Sequence, residues 1–251
     1  MEACGVCKWF SHRQWTGRGF RRETVAAVVD VNLRVEAGQI YGLLGLNGSG
    51  KSTLIRMMTT LLLPDRGQIW IFAKDVVRDR ATVRRWLGRV SAEAGFFKKL
   101  TARENLAYAA GLYGLPRERV WRDAQSLLKR WDMRPSQLEV PMEELSRGQQ
   151  QKVAIARALT LASRVLFLDE PTTGLDPRAR REVQETIRAA NEEWGLTIFL
   201  STHDLAEARR LCHRVAVLHQ GRLVAEGPPA ELLAGGEDPD SAFHRLIAEL
   251  R

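Results

Sequence analysis

The chain has 251 residues, 45% of them apolar, with 38 Lys plus Arg against 30 Asp plus Glu and a formal net charge of +8. That length suits one α/β domain or a core with a subdomain, and 20 Gly and 9 Pro among apolar residues spread along the chain exclude a collagen-like or largely disordered protein. No stretch approaches the roughly 18 to 20 consecutive apolar residues of a spanning helix, and residues 1–10 lack the apolar core of a signal peptide, so a soluble protein retained where it is made is expected.

Residues 25–35 read as a strand, and Glu36-Ala37-Gly38 turns into a second, short apolar run over 39–44 that suits a buried parallel strand. A glycine-rich loop follows, then a helix over 52–61 stopped near Pro64, then a strand over 68–72. Between 86 and 160 the texture becomes helical: Leu106, Ala109, Ala110 and Tyr113, then Val120, Ala124, Leu127, Leu128 and Trp131, recur at helical spacing. Beyond this insertion, 165–168, 197–200 and 215–218 are apolar strand candidates, with a long helix over 178–194. Alternating strands and helices on both sides of an insertion imply a parallel α/β core.

Gly45-Leu46-Asn47-Gly48-Ser49-Gly50-Lys51-Ser52 satisfies G-x-x-x-x-G-K-[ST]. Glycines let backbone N–H groups turn inward around phosphate oxygens, Lys51 supplies a charge at the β and γ phosphates, and the Ser52 hydroxyl can bind Mg²⁺. Asp169 and Glu170 follow the buried 165–168 run, where α/β sheets present their ligand sites. Asp169 would hold the Mg²⁺ shell, and Glu170 would polarise the attacking water. Ser146 and Gln149 form an S-x-x-Q capping box for the helix through Val153, Ala156 and Leu159. Asp204 reads as an N-cap for the helix through Ala208.

Leu145-Ser146-Arg147-Gly148-Gln149 lies 24 residues before Glu170, and Pro171-Thr172-Thr173-Gly174-Leu175-Asp176 and Ser201-Thr202-His203-Asp204 follow in order. With these motifs the chain resembles the ATP-binding cassette (ABC) family, the nucleotide-binding subunits of ABC transporters, over nearly its whole length. The resemblance implies a P-loop NTPase α/β core with a mostly parallel sheet, an N-terminal antiparallel β subdomain and an inserted helical subdomain. Its boundaries would be core 1–85 and 161–227, helical subdomain 86–160, and a short helical tail 228–251. It also implies ATP and Mg²⁺ as cofactors, with nucleotide contacts through Gly45, Asn47, Gly48, Ser49, Gly50, Lys51, Ser52 and Thr53. Leu145 to Gln149 would be the signature motif, Asp176 the D-loop aspartate and His203 the switch histidine. In that family two cassettes pair head to tail, which sets Ser146, Gly148 and the N-terminus of their helix against the γ-phosphate held by the partner cassette's Lys51.

Three features depart from the family pattern. Its usual metal-reaching glutamine falls on Ala92, where neighbouring Glu93 could serve as a hard-cation ligand. The stretch from Val90 to Phe97 is similar to cassettes of the ABC-2 type, including the sodium- and drug-efflux group. Arg147 stands where many members have glycine. The aromatic expected to stack on adenine matches Phe10 by the Lys8-Trp9-Phe10 pattern, with Phe20 the competitor by spacing. The implied partners are a second cassette, in a homodimer, and a polytopic ABC-2 permease, which would hold an exporter subunit at the inner face of the cell membrane.

Residues 1–160 carry 27 basic and 15 acidic side chains, and 161–251 carry 11 and 15. The excess is scattered in doublets, so bound nucleotide and work beside an anionic membrane explain it better than direct nucleic-acid binding. Cys4, Cys7 and Cys212 cannot make a paired disulfide framework, and Cys4-x-x-Cys7 falls in a predicted strand. The other class is a soluble non-transport cassette ATPase serving iron–sulfur assembly, nucleic acid or ribosomes. Long coiled-coil or zinc inserts of the DNA-acting relatives do not fit in the 94 residues between Lys51 and Ser146.

Overall fold

The computed structural model describes residues 1–15, 20–91, 95–161 and 164–232. In chain order the elements are β1 (Glu2–Trp15), β2 (Phe20–Arg34), β3 (Ile40–Leu44), α1 (Lys51–Met58), β4 (Arg66–Ile71), β5 (Lys74–Asp75), α2 (Arg80–Arg84), β6 (Leu87–Ser91), α3 (Ala102–Leu112), α4 (Arg117–Arg130) and α5 (Pro135–Leu138). A 3₁₀ turn at Met142–Glu144 precedes α6 (Arg147–Leu161), followed by β7 (Val165–Asp169), α7 (Pro177–Trp194), β8 (Thr197–Thr202), α8 (Leu205–Leu211), β9 (Arg214–His219), β10 (Arg222–Gly227) and α9 (Pro229–Leu232). Two compact units result: Met1–Ala37 with Tyr41–Arg84 and Ser201–Arg251, and Gly38–Ile40 with Arg85–Leu200. The fold is α/β, with an antiparallel sheet and a mixed, mostly parallel one, as expected from the alternation of strands and helices.

In the first unit, β2-β1-β4-β5 form the antiparallel sheet. Register shifts between Ala3 and Trp9 bend β1, so its buried face comprises Ala3, Val6 and Cys7 rather than a strict alternation. Cys7 sits under the sheet with the Asp30 amide 3.3 Å from its sulfur, while Cys4 is exposed. The strands β10-β9-β3 lie side by side, β3 parallel to β9 in the register Tyr41↔Arg214 to Leu44↔Val217. All five β3 residues are buried, and each large apolar side chain so placed contributes roughly 1.5–3 kcal/mol. Gly42 is required here because a Cβ would lie 2.6 Å from the Cys212 sulfur. α1 follows β3 and buries Leu54, Ile55, Met57 and Met58; it closes at a Thr59 cap, earlier than Leu61.

In the second unit, the mixed sheet's strands run β8-β7-β6, and β6 pairs parallel to β7 from Leu87↔Val165 to Ser91↔Asp169. The helical texture expected from residue 86 therefore begins only at α3, and 87–91 is a sheet strand. Gly88 interrupts the apolar pattern because the Ala158 carbonyl comes within 3.1 Å of where its Cβ would stand. β6, β7 and α7 cluster with the helices α3 to α6, a grouping that differs from the 86–160 insertion. α3 opens with a complete capping box between Thr101 and Glu104. Buried Asn105 organises the preceding loop, accepting from the Phe97 amide at 2.9 Å and donating to the Phe97, Leu100 and Thr101 carbonyls.

The Lys152 side chain, on α6, is buried among three helices. Its ammonium donates to the Trp131 carbonyl that closes α4 (2.9 Å) and to Glu182 of α7 (2.8 Å). Of the expected tail over 228–251, only the turn of α9 lies within the described residues. Among these residues no helix is long and apolar enough to cross a membrane.

Candidate functional site

Within the first unit, buried β3 runs straight into the glycine loop and α1. The loop's geometry accepts few other residues. A Cβ on Gly45 would stand 2.5 Å from both the Leu218 carbonyl and the Ser49 hydroxyl, and one on Gly50 would collide with the Ala27 carbonyl. Gly48 and Gly50 take φ of 82° and 108°, which side chains resist. The far end of the loop is anchored as well: the Gly221 amide donates to the Ser49 carbonyl at 2.9 Å, and Val29 of β2 donates to the Gly221 carbonyl at 2.8 Å. The β1–β2 sheet and the β9–β10 turn thus fix the loop before any ligand arrives.

Lys51 opens α1 and is 4% exposed, its ammonium donating to the Gly45 carbonyl at 2.7 Å and the Leu46 carbonyl at 3.2 Å. The positive charge is held over the loop by the loop's own backbone. α1 begins at Gly50 with no side-chain cap and no acid in its first turn. A helix start with neither suits an anion such as a polyphosphate. Asn47 and Ser52 are exposed on either side, and Thr53 is half-buried.

His203 is exposed just past the end of β8. The Asp204 amide donates to the Thr202 hydroxyl at 3.0 Å, and the Asp204 carboxylate caps α8 by accepting from the Glu207 amide at 3.1 Å. That short turn between strand and cap presents the imidazole outward. Phe10, on β1 opposite Val25, is 41% exposed, with the Lys8 ammonium 5.8 Å from its ring centre. Phe20 pairs with Trp15 at the start of β2 by its backbone; its side chain lies outside the described residues. Glu93 and Ala92 lie outside them too.

Within the second unit, β7 is buried throughout and ends on Asp169. The Arg89 guanidinium of β6 reaches the Asp169 carboxylate at 3.5 Å. Glu170 then adopts φ 52°, a left-handed conformation unusual for a side-chain-bearing residue, and accepts from the Thr173 hydroxyl at 3.1 Å. The sharp turn moves Glu170 off the strand line.

Ser146 and Gln149 close their capping box: the Ser146 amide donates to the Gln149 side-chain oxygen (2.9 Å), and the Gln149 amide to the Ser146 hydroxyl (3.3 Å). Gly148 has a packing reason, since a Cβ there would stand 2.8 Å from that of Ala179. Asp176 caps α7, accepting from the Arg178 and Ala179 amides at 3.0 Å each. The Ala179 amide, ahead of the Arg178 amide and charge, holds the Asp176 carboxyl below its ordinary value. The Lys152 hydrogen bond holds the Glu182 carboxyl low in the same sense. Ser146, Gly148, Gln149 and Asp176 all line one polar cleft of about 580 Å³ with Lys152 and Glu182 at its side. Like α1, α6 carries no acid in its first turn.

The Ser52 hydroxyl and Asp169 carboxylate are hard oxygen donors of the kind Mg²⁺ takes. Among the described residues no group of three or more His, Cys, Asp or Glu could hold a metal ion. The Arg89 contact to Asp169 escaped the sequence reading. Its signal was a lone arginine in the otherwise apolar run Leu87-Gly88-Arg89-Val90.

The profile of the ABC transporter family matches residues 28–173, from β2 through Thr173. The chain belongs to that family. The cassette is 39% identical over 216 residues to the daunorubicin resistance ATP-binding protein DrrA3 of Streptomyces coeruleorubidus, covering 85% of this chain and 68% of that protein. It is 38% identical to the ABC transporter ATP-binding protein NatA of Bacillus subtilis (82% of this chain, 84% of NatA), and 36% identical to the methionine import ATP-binding protein MetN of Symbiobacterium thermophilum (90% and 68%). A solved ATP-binding subunit of an ABC transporter superposes with a TM-score of 0.79 at 30% identity, over 98% of both chains. The ATP-binding cassette MJ0796, a dimer in a post-hydrolysis state bound to ADP and Pi, superposes at 0.76 with 28% identity, over 91% of this chain and 98% of that one. The cassette is an ATP-binding subunit of an ABC transporter and an ATPase.

Proposed function

We propose that two copies of this cassette close head to tail on ATP and drive a separate ABC-2 permease as an exporter. Lys51 and the amides from Gly45 to Thr53, with Asn47 and Ser49, would hold the phosphates, and Phe10 would stack on adenine. Ser52 and Asp169 would hold Mg²⁺, which would supply positive charge against the phosphates. Glu170 would position the attacking water and take its proton, and His203 would contact the γ-phosphate. Ser146, Gly148 and Gln149, with Asp176 beside them, would close on the nucleotide held by the partner cassette.

One observation carries the permease reading. In the second unit a cleft of about 290 Å³, lined by Gly88, Arg89, Phe97, Tyr108, Leu112 and Arg157 among others, is rimmed by exposed apolar side chains. Leu112 is 70% exposed, and Phe97, Tyr108 and Tyr113 are exposed beside it. Contiguous apolar surface of this kind marks an interaction site. Among the described residues its charged lining is Arg157 and Arg89, the latter already paired with Asp169, which leaves Arg157 to receive an acid on an amphipathic segment. Such a segment would hold the cassette at the inner face of the membrane.

Efflux is supported by the drug-resistance name of DrrA3, against the import named for MetN. The names of these relatives favour transport over the soluble non-transport class. Co-expression with a neighbouring polytopic membrane gene should yield a complex that lowers cellular daunorubicin, read by its fluorescence. Failure of the two to co-purify would remove the permease reading, and raised methionine uptake with unchanged daunorubicin would remove the efflux reading.

A further inference from the structure

We propose that Arg89 is a positioning residue for Asp169, holding the carboxylate in an exchangeable ion pair that competes with the divalent cation and so sets the affinity of the nucleotide site for Mg²⁺. The inference rests on the reading of Asp169 as a Mg²⁺ ligand. β6 and β7 are parallel neighbours, with Arg89 opposite Phe167 and Ser91 opposite Asp169. The long arginine side chain spans that two-residue offset along the strands. At 3.5 Å the contact is well beyond the 2.7–2.9 Å of a fully formed charge-assisted bond. The Asp169 side chain is 10% exposed and that of Arg89 31%, so one end of the pair is dry and the other reaches water.

The guanidinium is only partly satisfied. Its Nε is buried and has no acceptor among the described residues. Its hold on Asp169 is relieved by exchange of partner. A cation approaching the Asp169 carboxylate meets that fixed positive charge within a few ångströms, in surroundings less polar than water, and is bound more weakly than by the carboxylate alone. The pair also keeps the carboxylate oriented at the strand end when no cation is present.

The experiment is a binding measurement on the full chain. The affinity for a fluorescent, non-hydrolysable ATP analogue is measured in Mg²⁺ and in EDTA, and the ratio of the two dissociation constants reports the cation's contribution. Arg89→Gln and Arg89→Met should each tighten binding in Mg²⁺ by about threefold or more, with binding in EDTA unchanged. Arg89→Lys, which keeps a charge on a long stem, should stay near wild type. In an Asp169→Asn background Arg89→Gln should have no effect on the ratio. If Asp169→Asn abolishes the Mg²⁺ dependence but both uncharged Arg89 variants leave the ratio unchanged or lower it, the inference is overturned and the ligand reading stands. If Asp169→Asn leaves the Mg²⁺ dependence intact, the ligand reading itself fails and takes the inference with it.

Discussion

At the residue scale, Glu170 occupies a position that the backbone strains to provide. Its φ of 52° places it past the end of a fully buried strand, and its carboxylate is steadied by the Thr173 hydroxyl. Glu170→Gln preserves the size and the oxygen that accepts from Thr173 but removes the proton acceptor. Steady-state phosphate release should fall by about 10² or more while equilibrium ATP binding persists. An unchanged rate would remove Glu170 from the mechanism. Glu182 allows a pH test of a different kind. Lys152, chiefly through its hydrogen bond, depresses the Glu182 carboxyl in the folded state. The stabilisation is then fully present above the unfolded carboxylate value of about 4 and is lost as pH falls through the folded value. Because the Glu182 side chain is 41% exposed, solvent screening limits the effect to roughly 0.5–1 kcal/mol. Urea midpoints of wild type and Glu182→Gln should therefore differ at pH 7 and converge near pH 3; a gap that persisted at low pH would contradict the assignment.

At the element scale, the α4–α6–α7 clasp holds α6 in place. Lys152 ties the end of α4 and the flank of α7 to α6, and Gly148 lets the start of α6 approach Ala179. Lys152→Met keeps the apolar stem but leaves the buried Trp131 carbonyl without its donor, and should cost about 1–3 kcal/mol in chemical denaturation. The cleft beside α3 gives a second test: Leu112→Glu should abolish co-purification with the permease and leave ATP binding unaltered. The same elements show what the sequence could reveal. β3, β7 and β9 are uninterrupted apolar runs because both faces of the sheet are covered, and such runs are visible without a structure. The glycine loop between β3 and α1, both caps at Ser146 and Asp204, and the α7 helix were legible because each is local chemistry within a few residues. β6 was hidden because two of its five residues answer to distant neighbours, Gly88 to Ala158 and Arg89 to Asp169. The Lys152 clasp joins residues 21 and 30 positions apart, and no local spacing announces it.

At the scale of the whole molecule, the first unit holds the glycine loop and Lys51, while the second holds Ser146 at the start of α6, whose first turn carries no acid. If the two helix starts serve one nucleotide, the question is whether they come from the same chain. Head-to-tail pairing makes a definite statement: each nucleotide lies between Lys51 of one cassette and Ser146 of the other. Lys51→Ala and Ser146→Arg homodimers should then both be inactive, since every site in either is damaged. Mixing the two proteins produces a heterodimer with one site carrying both lesions and one site carrying neither, because intact Lys51 comes from the Ser146→Arg chain and intact Ser146 from the Lys51→Ala chain. ATP-dependent dimer formation and part of the ATPase rate should return in the mixture, rising with the heterodimer fraction. If each nucleotide were bound and hydrolysed within one chain, every site in the mixture would still carry one lesion and the mixture would stay as inactive as its components.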